Sequence, residues 1–260
     1  MKKPIARVFA ALLAVLLLCG VLPLMVNAAG PVDITDKFTD PAFRAAVQEL
    51  IGKEVILDTD VAGITELQTP GGLMIPGSIK SLAGLEYFTS LKSLVCISNP
   101  ITALPTLPAS IEKLWFWDTH LSVLSALPSG LKELICLHNQ LTSLPALPSN
   151  LEHLNCSENQ LASLPALPST LTVLYCASNR LASIDVTGLS LKLFDCRYND
   201  MTSASDVIGF IGIWNSEDYH FYPQNSTTTP IPTYFWSDWS PTMQFILKYI
   251  LFGWLWMRLF

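Results

Sequence analysis

Residues 131–150 read Leu131-Lys-Glu-Leu134-Ile-Cys136-Leu-His-Asn139-Gln-Leu141-Thr-Ser-Leu144-Pro-Ala-Leu147-Pro-Ser-Asn150, and the residues that follow repeat this pattern. The sixth position recurs at intervals of 20 as Cys96, Phe116, Cys136, Cys156, Cys176 and Cys196. The ninth position recurs as Asn99, Asn139, Asn159, Asn179 and Asn199, with Thr119 in the remaining place. A fixed period of this kind indicates stacked structural units, which we expect from about residue 79 to residue 205.

Each unit predicts one short strand, such as Leu134 to Leu137. Side chains alternate along a strand, so Leu134 and Cys136 should face the interior while Ile135 and Leu137 face outward. One unit cannot bury its leucines alone, and neighbouring units must therefore stack into a parallel sheet with a shared core. The asparagine column should turn inward after the strand and satisfy backbone groups of the loops.

The segment between strands is expected to be extended. Its Leu-Pro-x-Leu-Pro sequence cannot form a helix interior, because proline lacks an N–H and restricts the preceding residue. The convex side should therefore have polyproline-II-like backbone.

The pattern L-x-x-L-x-C-x-x-N-x-L resembles leucine-rich repeats, and its Leu-Pro-x-Leu-Pro segments resemble the 20-residue repeats of secreted bacterial effectors. The arrangement as a whole is similar to internalin-type surface proteins, through Thr39-Asp-Pro-Ala-Phe-Arg-Ala-Ala-Val47, Leu82-Ala-Gly-Leu-Glu-Tyr-Phe88 and the repeats that carry cysteine. The resemblance covers about residues 33–205. It implies an α/β repeat solenoid, a leucine-rich-repeat horseshoe with short parallel strands on the concave face, that serves as a binding module on the bacterial surface.

The chain divides into six expected segments. These are a signal peptide at 1–28, a helical cap with degenerate repeats at 29–78, the solenoid at 79–205, a C-terminal cap at 206–221, a Thr/Pro linker at 222–238 and a hydrophobic tail at 239–260. In the first cap, Asp40 and Pro41 predict the start of a helix that Gly52 ends. Caps are needed because the end strands of a solenoid are otherwise open to pairing with other chains.

Both ends of the chain are apolar. The N-terminus has the basic, apolar and small-residue regions of a secretory signal, with cleavage after Ala28; an uncleaved anchor or lipidation at Cys19 are the alternatives. The tail Met243–Phe260 could form a hydrophobic helix about 27 Å long. It could span a membrane, lie on its surface, or pack against the domain or a second copy.

The chain carries no recognisable catalytic motif. The cysteines fit best as a buried structural column, although bridging of neighbouring repeats remains open. A linear column does not converge on one point, so we predict no metal site and no cofactor. The net charge of −6 and the scattered basic residues argue against nucleic-acid binding.

The outward strand positions form the candidate binding surface. We expect the partner to contact Val95, Ile97, Trp115, Trp117, Ile135, Leu137, Tyr175, Asp195 and Arg197. The tryptophans and their aliphatic neighbours should form an exposed hydrophobic patch, which is typical of interaction sites. The alternative is that the tail or a cap covers this patch.

The sequence therefore predicts a non-catalytic interaction module, exported to the cell surface and held at the membrane by Met243–Phe260. The alternative is a released effector that acts on a host protein. A glycosidase is disfavoured, because the only carboxylates in the groove, Glu133 and Asp195, lie three repeats apart.

Overall fold

The computed structural model describes residues 30–67, 78–214 and 217–224. The chain divides into two compact units, Met1–Val32 and Asp33–Phe260, and the repeats lie in the second. The expected signal peptide, the tail and most of the linker lie outside the described residues. Within the part that is described, no helix has both the length and the apolarity needed to cross a bilayer.

The described residues before the repeats contain two α-helices, α1 (Pro41–Ile51) and α2 (Asp58–Ala62). The Asp40 carboxylate accepts hydrogen bonds from the backbone N–H groups of Ala42 and Phe43 at the start of α1, and also from those of Lys80 and Ser81. Burial alone would raise the pKa of Asp40, but these four donors hold it below its ordinary value. One side chain thus ties the first helix to the beginning of the solenoid.

Eight strands of the described residues form one sheet, and every pairing within it is parallel. In the order in which they lie in the sheet, the strands are β1 (Glu66–Leu67), β2 (Ser93–Ile97), β3 (Lys113–Trp117), β4 (Glu133–Ile135), β5 (His153–Asn155), β6 (Val173–Tyr175), β8 (Leu193–Asp195) and β10 (Tyr219–His220). A second, two-stranded sheet pairs β7 (Ile184–Asp185) with β9 (Val207–Ile208). The predicted parallel-strand solenoid is confirmed.

The register of the main sheet follows the sequence period. Leu94 lies beside Leu114, Leu114 beside Leu134, and Leu134 beside Leu154. Strand β4 ends at Ile135 rather than at the expected Leu137, although the Cys136 N–H still donates to the Asn155 carbonyl at 2.8 Å. Equivalent residues therefore stack directly over one another, and each interior position becomes a continuous column.

The cysteine column lies in this interior. Cys136, Cys156, Cys176 and Cys196 are fully buried, as is Phe116, and Cys96 is nearly so. The five described cysteines are free thiols, which excludes the bridged alternative in this structure. Burial raises the pKa of Cys96 and of Cys136 to about 12, since a thiolate would lose its solvation there.

The asparagine column satisfies the backbone at the end of each strand. Asn159 shows the pattern: its Oδ1 accepts from the Leu141 N–H, and its Nδ2 donates to the carbonyls of Cys136, Cys156 and Ser157. Asn179 and Asn199 make the equivalent bonds one and two repeats later. Each amide thus joins its own repeat to the preceding one.

The convex segments contain neither helix nor strand between residues 141 and 150 or between 161 and 170. Each ends in a turn in which the leucine that opens the next repeat donates its N–H to a proline carbonyl, as from Leu151 to Pro148 at 3.1 Å. The turn recurs from Leu131 to Pro128 and from Leu171 to Pro168. Twenty residues per repeat leave no room for a longer convex element.

Aromatic side chains pack at the C-terminal end of the solenoid. The Phe210 and Trp214 rings stack with centroids 3.9 Å apart, and both contact Phe194 of β8. Ile211 and Ile213 of the same segment are exposed. Strand β10 adds a last parallel pairing to β8.

Candidate functional site

The outward residues of β2, β3 and β4 come together as the sequence predicts. Val95 lies beside Trp115, Ile97 beside Trp117, and Trp115 beside Ile135. We call these residues and Leu137 the apolar centre of the concave face. Tyr175 lies two strands further along, and Asp195 and Arg197 lie beyond it.

The apolar centre is less exposed than expected. Trp115, Trp117 and Ile135 are half-buried. Val95 and Ile97 are each only 9% exposed and Leu137 is 2% exposed, so the prediction of an exposed hydrophobic patch is wrong at these three positions. Parallel strands lie about 4.8 Å apart, which lets a large indole pack along the aliphatic side chains on either side of it. The two tryptophans and Ile135 remain as the accessible part.

The Trp115 indole is held in place by a carboxylate. Its Nε1–H donates to Glu133 Oε1 at 3.1 Å, and the Lys113 Nζ lies 3.9 Å from the other oxygen of Glu133. Buried tryptophan normally finds such a partner for its N–H. Glu133 is therefore hydrogen-bonded to the apolar centre and is not an unpaired carboxylate of the groove.

Asp195 and Arg197 do not present charges to a partner. The Arg197 guanidinium binds the Asp195 carboxylate with Nη2–Oδ2 2.8 Å and Nε–Oδ1 3.1 Å, and both side chains are largely buried. The two charges therefore satisfy one another within the face, and the contact of these two residues with a partner stays a prediction.

One edge of the face carries an ion-pair ladder. It lies just before the strands, where the Glu112 carboxylate binds both Lys92 Nζ at 2.7 Å and Lys132 Nζ at 2.8 Å. Hydrogen bonds from Lys132 and then Lys92 lower the pKa of Glu112 to about 2. Opposite charges in adjacent repeats thus neutralise one another along this edge.

The other edge was missed by the sequence reasoning. The residue before each asparagine position has left-handed backbone, with φ between 51° and 56°, and none of these residues is glycine. They are Ser98, Asp118, His138, Glu158, Ser178 and Tyr198. The clue in the sequence is that this whole column is free of aliphatic residues, as expected where a side chain borders solvent after the strand ends.

We call Asp118, His138 and Glu158 the acidic edge. The His138 Nδ1 lies 3.2 Å from Asp118 Oδ1, and Ser98 Oγ donates to Asp118 Oδ2 at 3.2 Å. Partial burial raises the pKa of Glu158; His138 opposes the shift and the Asp118 charge adds to it. The two carboxylates thus lie in the repeats on either side of His138, and Asp118 is the one within ion-pairing distance of it.

Other chemistry finds little support in the described residues. Glu133 and Asp195 lie on β4 and β8, three strand spacings or about 14 Å apart, which fits neither glycosidase geometry. Within the described ranges, no group of three or more His, Cys, Asp and Glu side chains could hold a metal ion. A cavity of about 380 Å³ opens between residues 163–167 and 183–189, but its carboxylate, Asp185, already accepts the Thr187 N–H.

Comparison with known proteins supports the architecture. No protein-family model matches the sequence, and a search of curated proteins finds no match. Among solved structures, the leucine-rich-repeat domain of a Shigella effector is 23% identical with a TM-score of 0.50, over 66% of this chain and 85% of that chain.

Two further solved structures are more distant in shape. YopM from Yersinia enterocolitica is 26% identical with a TM-score of 0.36, over 52% of this chain and 38% of that chain. A domain of InlJ from Listeria monocytogenes, described as including a cysteine ladder, is 23% identical with a TM-score of 0.38, over 68% of this chain and 54% of that chain. The present chain thus spans well under two thirds of both. The 20-residue period, the parallel sheet and the likeness to the Shigella domain identify the chain as a leucine-rich-repeat solenoid.

Proposed function

We propose that this chain is a non-catalytic protein-binding module, and that its partner docks on the concave face at Trp115 and Trp117. The observation that carries the proposal is the pairing of these half-buried indoles with Val95, Ile97 and Ile135 on adjacent strands. Tryptophan at the centre of an apolar surface with a polar border is the usual composition of an interface hot spot. The paired Asp195 and Arg197 and the aromatic Tyr175 extend the surface toward the C-terminal repeats.

The test is partner capture with the full-length chain. We expect the wild type to retain a defined protein from its natural surroundings, and Trp115→Ala/Trp117→Ala to lose at least about tenfold of the captured amount, because hot-spot truncation costs 2 kcal/mol or more. Val123→Ala is the matched control, since Val123 is an exposed apolar residue outside the strands. Equal capture by all three proteins, with unchanged circular dichroism, would rule out this face as the binding site.

We further propose that residues 29–78 and 206–221 act as caps, that the segment 1–28 directs export, and that Met243–Phe260 holds the solenoid at the outer face of the membrane. The basic and apolar composition of the first segment and the apolar composition of the last support this assignment. Cell fractionation tests it: the full chain should be recovered with membranes, and a chain truncated after residue 238 should not.

The competing function is a released effector. The likeness to the leucine-rich-repeat domain of a Shigella effector favours it. Recovery of the full chain in the culture supernatant, instead of the membrane fraction, would decide for the effector.

A further inference from the structure

Most charged side chains around the concave face are paired with an opposite charge, but those of one edge are not. Glu112 lies between Lys92 and Lys132 at one edge, and Lys132 is also influenced by the charge of Glu152. Within the face, the charge pairs are Lys113 with Glu133 and Asp195 with Arg197. These groups leave little net charge for a partner to match.

Among the described residues, no lysine or arginine forms an ion pair with the acidic edge. Asp118 and Glu158 lie in alternate repeats on either side of His138, which carries a charge only when it is protonated. Even a protonated imidazole would offset only one of the two carboxylates, so this edge keeps a net negative charge when both carboxylates are ionised. The acidic edge therefore carries an unbalanced negative charge, whereas the charges along the opposite edge, which contains Lys92 and Lys132, offset one another.

Glu158 lies directly beside the turn that carries His138, since the Asn139 N–H donates to the Glu158 carbonyl at 3.1 Å. Partial burial raises the pKa of its carboxyl group, and the negative charge of Asp118 raises it further against the opposing effect of His138. A cation from outside would replace the solvation that the carboxylate lacks, and would relieve the repulsion between the two carboxylates.

The acidic edge adjoins the apolar centre. Asp118 follows Trp117 directly in the chain, and His138 follows Leu137. A partner that places an apolar side chain on the indoles therefore has its neighbouring residues next to the carboxylates. A lysine or arginine at that place would meet both an anionic edge and the faces of tryptophan rings, which also attract cations. A polyanion such as a nucleic acid would be repelled by the same edge.

We infer that the concave face binds an extended protein segment in which an apolar side chain, seated on Trp115 and Trp117, adjoins a lysine or arginine held by Asp118 and Glu158. This inference rests on the proposed function and names the chemistry of the partner. The apolar contact supplies most of the affinity, and the cation selects the segment and its orientation.

The experiment uses a randomised heptapeptide display library selected on the full-length chain, followed by synthetic peptides of the best sequence. In these peptides the basic residue is kept or replaced by Gln or Glu, and binding is measured by fluorescence polarisation at two salt concentrations. The acidic-edge variant is Asp118→Asn/Glu158→Gln, which keeps similar side-chain shapes and places Asn where left-handed backbone suits it. Glu152→Gln is the matched control, since Glu152 is an exposed carboxylate on the opposite edge.

We expect the library to enrich apolar residues next to Lys or Arg. Replacing the basic residue by Gln should weaken binding to the wild type about fivefold, by Glu more, and the loss should shrink at high salt. The same replacement should change binding to the acidic-edge variant by less than about twofold, while Glu152→Gln behaves as the wild type.

Several outcomes would overturn the inference. Enrichment of apolar peptides without a basic residue, bound through the tryptophans, contradicts the charge preference and leaves the proposed function standing. If replacing the basic residue weakens binding to the acidic-edge variant as much as binding to the wild type, the basic residue does not bind at the acidic edge. A library without enriched sequences contradicts recognition of an extended segment, whereas the failure of the proposed function itself is seen separately in the partner-capture experiment.

Discussion

The inward-facing and the outward-facing residues of the same strands differ in how strictly their residue types follow the 20-residue repeat. The interior columns hold leucine, cysteine and asparagine in nearly every turn, and the departures include Phe116, Thr119 and Phe194. The outward column that begins at Val95 continues as Trp115, Ile135, Asn155, Tyr175 and Asp195. An interior residue must fit equivalent neighbours above and below it, so its volume is constrained at every turn. The outward residues meet this constraint only in part, and their chemistry therefore varies from one repeat to the next.

The departures inside the core are accommodated by their neighbours. Thr119 is fully buried, and both its N–H and its hydroxyl donate to Asn139 Oδ1. The asparagine of the next repeat thus supplies the acceptor where the column is interrupted. On the outside, by contrast, the change from Trp115 to Asn155 alters the chemistry of the surface completely.

The largest expected effect is a loss of stability at high pH, which the buried thiols of the interior cause. The folded chain raises the pKa of the buried thiols, to about 12 for Cys96 and Cys136, whereas an unfolded thiol titrates near 8.5. The unfolded chain therefore releases these protons first as pH rises. Stability should fall from about pH 8.5 upward until the folded thiols titrate, with a loss of about 2 kcal/mol for each thiol at pH 10.

Urea unfolding between pH 7 and pH 10 measures this slope. Cys136→Ala lacks one of the titrating groups, so above about pH 8.5 its stability should fall less steeply with pH than that of the wild type, by about 1.4 kcal/mol per pH unit. Parallel slopes for the two proteins would show that Cys136 is not buried as a thiol.

A second expected effect tests the asparagine column. Asn159→Ala removes the acceptor of the Leu141 N–H and the donor to three carbonyls, which leaves several buried backbone groups without partners. We expect the free energy of unfolding to fall by about 3–5 kcal/mol. Asn150→Ala is the control, because Asn150 is exposed and makes a single long bond to the Ser129 carbonyl. Similar unfolding midpoints for both variants would contradict a structural role for the column.

The smallest expected change in stability comes from breaking an exposed ion pair at the edge of the concave face. Lys132→Ala breaks an exposed ion pair with Glu112, although Lys92 still binds the same carboxylate. Exposed pairs contribute little, because solvent screens them and long side chains lose freedom in forming them. The urea midpoint should stay close to that of the wild type. A shift as large as that of Asn159→Ala would mean that the ladder, and with it the outside of the sheet, contributes as much as the interior.

The sequence reasoning predicted the repeat, the parallel stacking and the outward position of the tryptophans, because all three follow from period and alternation. It did not predict that Leu137 is buried. Residue 138 adopts left-handed backbone with φ of 54°, so regular strand alternation no longer holds beside it. The alternation of inward and outward side chains therefore ends with the strand, where the chain turns toward Asn139.

The acidic edge shows a second reason for incomplete prediction. Asp118, His138 and Glu158 are separated by 20 residues each and carry no common motif. Only the stacking of repeats brings them together, and only their surroundings change their chemistry, as in the raised pKa of Glu158. Sequence periodicity indicates which positions share a column, but it does not reveal which side chains are paired.

The amino-acid sequence by itself determined the solenoid, since a leucine and cysteine period of 20 residues can be buried only by stacking equivalent turns. The tertiary structure alone decided how the outward side chains are paired: Glu133 accepts a hydrogen bond from Trp115, Asp195 is paired with Arg197, and Asp118 lies within ion-pairing distance of His138. The physical reason is that burial of an apolar period depends on composition and spacing. Hydrogen bonds and ion pairs depend instead on distances of a few ångströms between side chains from different repeats.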